Sequence, residues 1–249
     1  MKPIFYIVIS LFSIGLFAQN QSLFEQGNQL YNDGKYAEAI EKYQSILKTE
    51  NHSAELYFNL ANAHYKLNHI APSIYYYEKA LKLSPNDQDI KNNLAFANNM
   101  TIDDIEVIPN AGFSKLIRSI TDIMSFDNWA KLAVASVILF VLIFLFYYFT
   151  YSTFKKRLAF ITSNLFLFLA AFSLVIAFHN FNLSKKDRPA VIFAQETVIR
   201  SEPNNRSQEL FRLHEGTKVQ IIDTINQWKE IKLLDGKTGW IENEDIKEL

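Results

Sequence analysis

A segment that repeats at a spacing of 34 residues is the feature that most limits what this chain can fold into. Gly27, Ala61 and Ala95 fall in register, as do Tyr43 with Tyr77, Asn59 with Asn93, and Leu60 with Leu94. The first unit, residues 20–53, predicts a helix through Leu23, Gly27, Leu30 and Tyr31, a break near Asn32 to Lys35, and a second helix through Ala39, Tyr43, Ile46 and Leu47. The second unit, residues 54–87, repeats this with Tyr57, Leu60, Ala61 and Tyr65, then Ile74, Tyr77, Ala80 and Leu81. A capping helix over 88–100 matches only the first half of a unit. Each repeat buries its apolar face only on a neighbour, so two units and a cap form a marginal stack that a partner or self-association is expected to complete.

Two long uncharged stretches follow. Residues 132–154 and 158–184 each exceed the roughly 20 residues that cross a hydrocarbon core as a helix. Transmembrane helices are therefore expected over 130–152 and 158–180, with Lys155, Lys156 and Arg157 in a tight turn between them. Three cations there favour the cytoplasm. Lys2 followed by the apolar run from Ile4 to Phe17 reads as a signal peptide over residues 1–18, with an uncleaved anchor as the other reading. Either version exports the repeats, so the repeats and the tail face outward. Tyr147, Tyr148 and Tyr151 near the turn, and Trp129 at the far end, are expected at headgroup depth. Residues 101–112 read as a linker. Residues 113–128 read as an amphipathic interfacial helix through Phe113, Leu116, Ile117, Ile120 and Met124.

From Ala190 the texture changes to short β-branched and aromatic runs at 191–193, 197–199, 218–222, 228–231 and 239–241, separated by turn signals such as Asp235-Gly236. Five short strands in so small a region predict a small all-β barrel over 189–249.

The spacing in both units resembles the tetratricopeptide family, which binds polypeptides along the inner faces of its first helices. That resemblance implies a peptide-binding groove at Asn28, Tyr31, Asn32, Phe58, Asn62, Tyr65 and Lys66, with the asparagine amides bonding a peptide backbone. The paired lysines that clamp a terminal carboxylate in that family have no counterpart, since Asp89 stands at one such place. In the tail, the run Val198-Ile199-Arg200-Ser201-Glu202-Pro203, then Glu215-Gly216-Thr217, Trp228 and Asp235-Gly236-Lys237-Thr238-Gly239-Trp240 resembles the bacterial SH3-like domain. Members of that family bind cell-wall peptides or proteins, which puts Trp228 on a ligand face while Trp240 is expected in the core.

The formal net charge is −1, and cations gather around the uncharged stretches while neither soluble part is basic, so nucleic acid is not an expected partner. The chain has no Cys, which removes disulfides, thiolate nucleophiles and Cys-based zinc sites. No phosphate loop, dinucleotide fingerprint, nucleophile elbow or zinc-protease motif occurs, so neither catalysis nor a cofactor or metal is expected. The five histidines are scattered, and His64 and His69 are too far apart on one helix to form a metal pair.

The whole order describes a multidomain membrane protein: an α-helical tetratricopeptide solenoid, a two-helix transmembrane hairpin and a small SH3-like barrel. That order resembles the BatE-like family of aerotolerance (Bat) operon proteins. It implies a scaffold on the periplasmic side of a bacterial inner membrane, with von Willebrand A-domain membrane proteins, another repeat protein and a MoxR-type ATPase as partners, in an aerotolerance or envelope stress complex. A cell-wall (peptidoglycan) sensor is the alternative.

Overall fold

The computed structural model describes residues 19–106, 113–121 and 123–249, with residues 113–116 as backbone only. The expectation of a signal peptide and the second half of the expected linker lie outside the described residues. The chain divides into two compact units, one from the residues up to Val107 together with Arg188–Leu249, the other Ile108–Asp187.

The first unit opens with five helices: α1 over 19–32, α2 Tyr36–Leu47, α3 Ala54–Lys66, α4 Ile70–Leu83 and α5 Gln88–Asn98. The repeat extends to the chemistry that starts and stops them. Gly34 and Asn68, one period apart, both adopt positive φ (77° and 58°) just after α1 and α3. At the first, the amide of Lys35 reaches the carbonyl of Leu30 at 2.9 Å; at the second, His69 reaches His64 at 3.0 Å. These bonds satisfy carbonyls that the helix ends leave unpaired. Ser53 and Asp87, again one period apart, cap α3 and α5 by accepting backbone N–H groups. Pro72 sits in the first turn of α4, where its missing N–H costs nothing.

Tyr43 and Tyr77 fill the two repeat cores and are almost wholly buried. Phe24 packs on Tyr43 and Phe58 on Tyr77, each pair with ring centroids 5.9 Å apart. Gly27 is small because Tyr43 requires it: a Cβ there would stand 2.5 Å from the ring. The side of α1, α3 and α5 that carries the expected groove residues is thus backed by Tyr43 and Tyr77.

The same unit ends in an antiparallel sheet. Its strands are β1 Pro189–Ile192, β2 Glu196–Arg200, β3 Glu209–His214, β4 Lys218–Ile225, β5 Trp228–Lys232, β6 Thr238–Glu242 and β7 Ile246–Glu248, in the order β3-β2-β6-β5-β4-β1-β7. Inward-facing Ile192, Ile199, Ile221, Ile231 and Ile241 form its core. Gly236, at φ 88°, turns β5 into β6. Seven strands stand where five were expected. The two extra ones, β3 and β7, each bury a single side chain, Leu213 and Ile246, and so lack the apolar alternation that marks a strand in sequence.

The second unit holds α6 Phe113–Thr121, α7 Phe126–Phe149 and α8 Thr153–Lys186. α7 and α8 are each long and apolar enough to cross a membrane. They meet through small side chains, with Ala133 and Ser136 from α7 and Ala159, Ser163, Ala170, Ser173 and Ala177 from α8 buried between them. Small residues let apolar helices approach closely where no hydrophobic drive separates helix from lipid. Thr162, Ser163 and Asn164 bond back to carbonyls of their own helix, which leaves these polar groups satisfied without water.

One expectation shifts here. The chain breaks at residues 150–152, so Lys155, Lys156 and Arg157 lie within the first two turns of α8 and not in a turn before it. The break falls at Thr150-Tyr151-Ser152, where Thr150 and Ser152 both take extended backbone conformations (ψ 140° and 125°). At the far end of the hairpin Trp129 is buried against Ile176 and Ala177, with its indole N–H donating to the carbonyl of Thr121 at 3.2 Å. The amide of Asn180 donates to the same carbonyl at 2.9 Å, so the end of α6 is held by one side chain from each long helix.

Candidate functional site: a repeat groove and a polar depression on the sheet

The groove is organised by two copies of one hydrogen-bond relay. In the first, the side-chain oxygen of Asn28 accepts from the Tyr43 hydroxyl at 2.8 Å and from the Asn59 amide at 2.9 Å. In the second, one period on, the oxygen of Asn62 accepts from the Tyr77 hydroxyl and from Asn93, the latter at 3.0 Å. A carbonyl oxygen has two lone pairs, and both are used at each asparagine. Asn28 and Asn62 therefore act first as fasteners, and only their NH2 groups are left to serve a ligand backbone. Burial, with Tyr31 nearby, pushes the Tyr43 phenol up to about 12, and burial raises Tyr77 as well, so both remain protonated donors.

Around these relays lie two adjoining depressions. Asn28, Tyr31, Asn32, Tyr43, Asn59 and Asn62 line one, and Tyr31, Asn62, Tyr65, Lys66, Tyr77, Asn93 and Phe96 line the other. Tyr31 belongs to both. Of the residues expected in the groove, only Phe58 is absent from its lining, because it packs against Tyr77 beside the repeat core. Asn93 and Phe96 were not foreseen. Phe96 occupies the same repeat position as Asn28 and Asn62, and it is 59% exposed beside exposed Lys66, so the polar series ends in an apolar wall with a cation at its rim. The 34-residue register pointed to it, but the polar character of α5 concealed it.

On the sheet, half-buried Trp228 lines a shallow depression with Glu196, Thr197, Val198, Arg200, Arg212, Glu242 and Asp245. Most of its charge is already engaged. Arg212 bridges Glu196 and Glu209 at 2.7 Å each, and Thr197 donates to Asp245 at 2.6 Å. Trp240 is half-buried too, since strand alternation sends its neighbours Gly239 and Ile241 inward instead.

The histidines meet in a way their spacing did not suggest. Because α3 stops at Lys66 and Asn68 turns the chain back, His69 folds over His64, with Nδ1 atoms 3.1 Å apart. His64 is buried and stacks on Tyr76, and burial, then His69 and Lys247, lowers its pKa to about 4. It is a neutral core residue at ordinary pH. Among the described residues there is no group of three or more metal-ligating side chains.

Comparison with known families agrees with this division. Residues 27–68 match a TPR repeat family and residues 54–87 a tetratricopeptide repeat family, while residues 196–247 match the bacterial SH3 domain. No curated protein matches the chain significantly. Tetratricopeptide repeats and SH3 domains are typically non-catalytic interaction modules, so the chain carries two modules suited to binding protein, and one of them also to binding cell wall.

Proposed function

We propose that this protein is a membrane-anchored protein–protein interaction scaffold whose repeats hold a partner segment in the groove of α1, α3 and α5. One observation carries the reading: Tyr31, Tyr65, Lys66 and Phe96 stand open to a ligand around asparagines already locked by the tyrosine relays. Such a surface offers aromatic contact, amide donors and one cation, with no assembled nucleophile and base. The hairpin anchors the body, with Lys155, Lys156 and Arg157 at its cytoplasmic end and the repeats and sheet on the periplasmic face of a bacterial inner membrane. Cations near the start of a helix oppose the helix dipole, so their presence there is better explained by headgroups or a cytoplasmic partner than by helix stability.

The complex we favour is of the Bat aerotolerance or envelope stress type. Its von Willebrand A-domain proteins and second repeat protein would meet the body, and a MoxR-type ATPase would reach only the basic end of the hairpin. Mild crosslinking in intact cells followed by mass spectrometry tests this, comparing wild type with a Tyr31→Ala, Lys66→Ala, Phe96→Ala variant. Loss of one or two membrane proteins from the variant alone supports the scaffold. An unchanged set, with the variant folded, rejects the groove.

The match to the bacterial SH3 domain, together with the depression at Trp228, favours a second reading as a cell-wall sensor. Retention of the detergent-solubilised protein on purified peptidoglycan, lost on Trp228→Ala, would move the function there.

A further inference from the structure

The two-repeat stack was expected to need a partner, and the chain supplies one. Val191 of β1 is fully buried in the same apolar cluster as Tyr57, Ala61, Ile74 and Tyr77 of the repeats. Phe193, just after β1, lies edge-on to Tyr75 with centroids 5.5 Å apart. On α4, Ile74 and Tyr77 point into the repeat core, while Tyr75 and Glu78, three apart on a neighbouring stripe, turn to the sheet. Glu78 pairs there with Lys218 of β4 at 2.6 Å. Gly216 approaches so closely that a Cβ would stand 2.8 Å from Ile70 and 2.9 Å from Thr101.

Asp103 fastens this contact. It lies in the stretch expected to be linker, yet its carboxylate accepts from the His214 backbone N–H at 2.7 Å, from the His214 ring at 2.8 Å and from the Thr217 hydroxyl at 2.6 Å. Burial alone would raise its pKa, but the bonds from Thr217 and His214 outweigh it and hold the carboxyl below its usual value. Two residues on, Ile105 packs against the sheet core. The chain is thus tied to the sheet shortly before the hairpin begins and rejoins it in β1 directly after α8.

We infer that residues 188–249 are the resident partner of the repeat stack, and that the hairpin is spliced into a single cooperative body. A solenoid repeat buries its apolar face only on a neighbour, and here the sheet takes the place of the missing third repeat. On the membrane reading proposed above, the repeats reach full stability only after both spans have threaded and the C-terminal strands have arrived on the same side. The face formed by β1, Gly216 and Lys218 is then occupied from within, which leaves the Trp228 depression for other ligands.

Because the chain has no Cys, a Glu78→Cys, Lys218→Cys pair in the full-length protein is unique. A short bis-maleimide applied to membranes should join the two positions within one chain, seen as a linked peptide pair at monomer mass. A dimer joined through the same positions would overturn the inference. So would the absence of a link when each single-Cys variant is fully labelled by a monofunctional maleimide. A second readout tests cooperativity. In full-length Asp103→Ala, Phe193→Ala protein, proteolysis within α1–α4 should accelerate by about tenfold or more, because opening exposes sites that the sheet covers. An unchanged rate would show that the repeats stand alone. Neither readout depends on a groove ligand, and the link would form in soluble protein as well, so failure of the scaffold or membrane reading leaves this test intact.

Discussion

The body of repeats and sheet and the apolar hairpin are built on opposite principles. The body buries large aromatic and branched side chains, Tyr43, Tyr77, Ile74, Ile231 and Ile241 among them. The hairpin buries mostly Ala and Ser, with Trp129 and Ile176 the large exceptions, and shows Leu142, Phe146, Phe168 and Val175 outward. In water the apolar side chain gains by leaving the solvent, so size belongs inside. In lipid there is no such gain, and close backbone approach takes its place. The same comparison separates what the two halves offer: the body places polar donors around an aromatic surface, and the hairpin is long and apolar enough to cross a membrane.

Substitutions should therefore act with opposite signs of volume. The largest effect is expected from Tyr77→Ala, which leaves a cavity in the second repeat and strips Asn62 of a donor; a loss of about 3–5 kcal/mol is expected from chemical denaturation of the body. A loss below about 1 kcal/mol would mean that the repeat core is not close-packed.

Next comes acid. The unfolded chain binds a proton at His64 near 6.5, whereas the folded one does so only near 4, so stability falls as pH drops from about 6.5 to about 4 and this contribution then levels off. The full swing is roughly 3 kcal/mol. His64→Phe should flatten the profile across that window while keeping the stack on Tyr76. Asp103, a carboxylate held below its usual pKa, contributes stability above the ordinary carboxylate range and loses it below, so its signature lies at lower pH than that of His64.

In the hairpin the damaging change is enlargement. Ser173→Leu should wedge α7 from α8 at a cost of about 1–3 kcal/mol, read as a lower melting temperature in detergent, and Val175→Ala on the exposed side should leave it unchanged. Equal sensitivity of both positions would break the contrast between the two regions.

The smallest change in stability carries the most about function. Lys66→Ala, on an exposed rim position, should alter stability by less than about 0.5 kcal/mol while weakening partner retention. Asn62→Ala would not discriminate, because it also releases Tyr77 and Asn93.

How much of this the sequence disclosed depended on the range of the interaction. The repeats were legible because Gly27, Tyr43 and Asn59 recur one period on as Ala61, Tyr77 and Asn93, and the structure adds that Gly34 with Asn68 and Ser53 with Asp87 share turn and cap roles at the same spacing. The hairpin was legible from its lack of charge, though not its break, since a Thr-Tyr-Ser turn is a weak signal beside three cations. The expected groove residues came from the tetratricopeptide resemblance; all but Phe58 line the two depressions, and the side-chain oxygens of Asn28 and Asn62 are already engaged. The contact between repeats and sheet was not legible at all. Asp103 reads as linker and Val191 and Phe193 as ordinary strand residues; they acquire meaning only from partners such as His214, 111 positions away.

The central claim is that a partner is held in the repeat groove. A photo-crosslinking amino acid placed at Phe96, and separately at Trp228, in the full-length protein in living cells tests it most directly. The account predicts a discrete protein adduct at position 96 that disappears when Lys66→Ala and Tyr31→Ala are added. Silence at 96 with capture at 228 would contradict it and assign the ligand to the sheet.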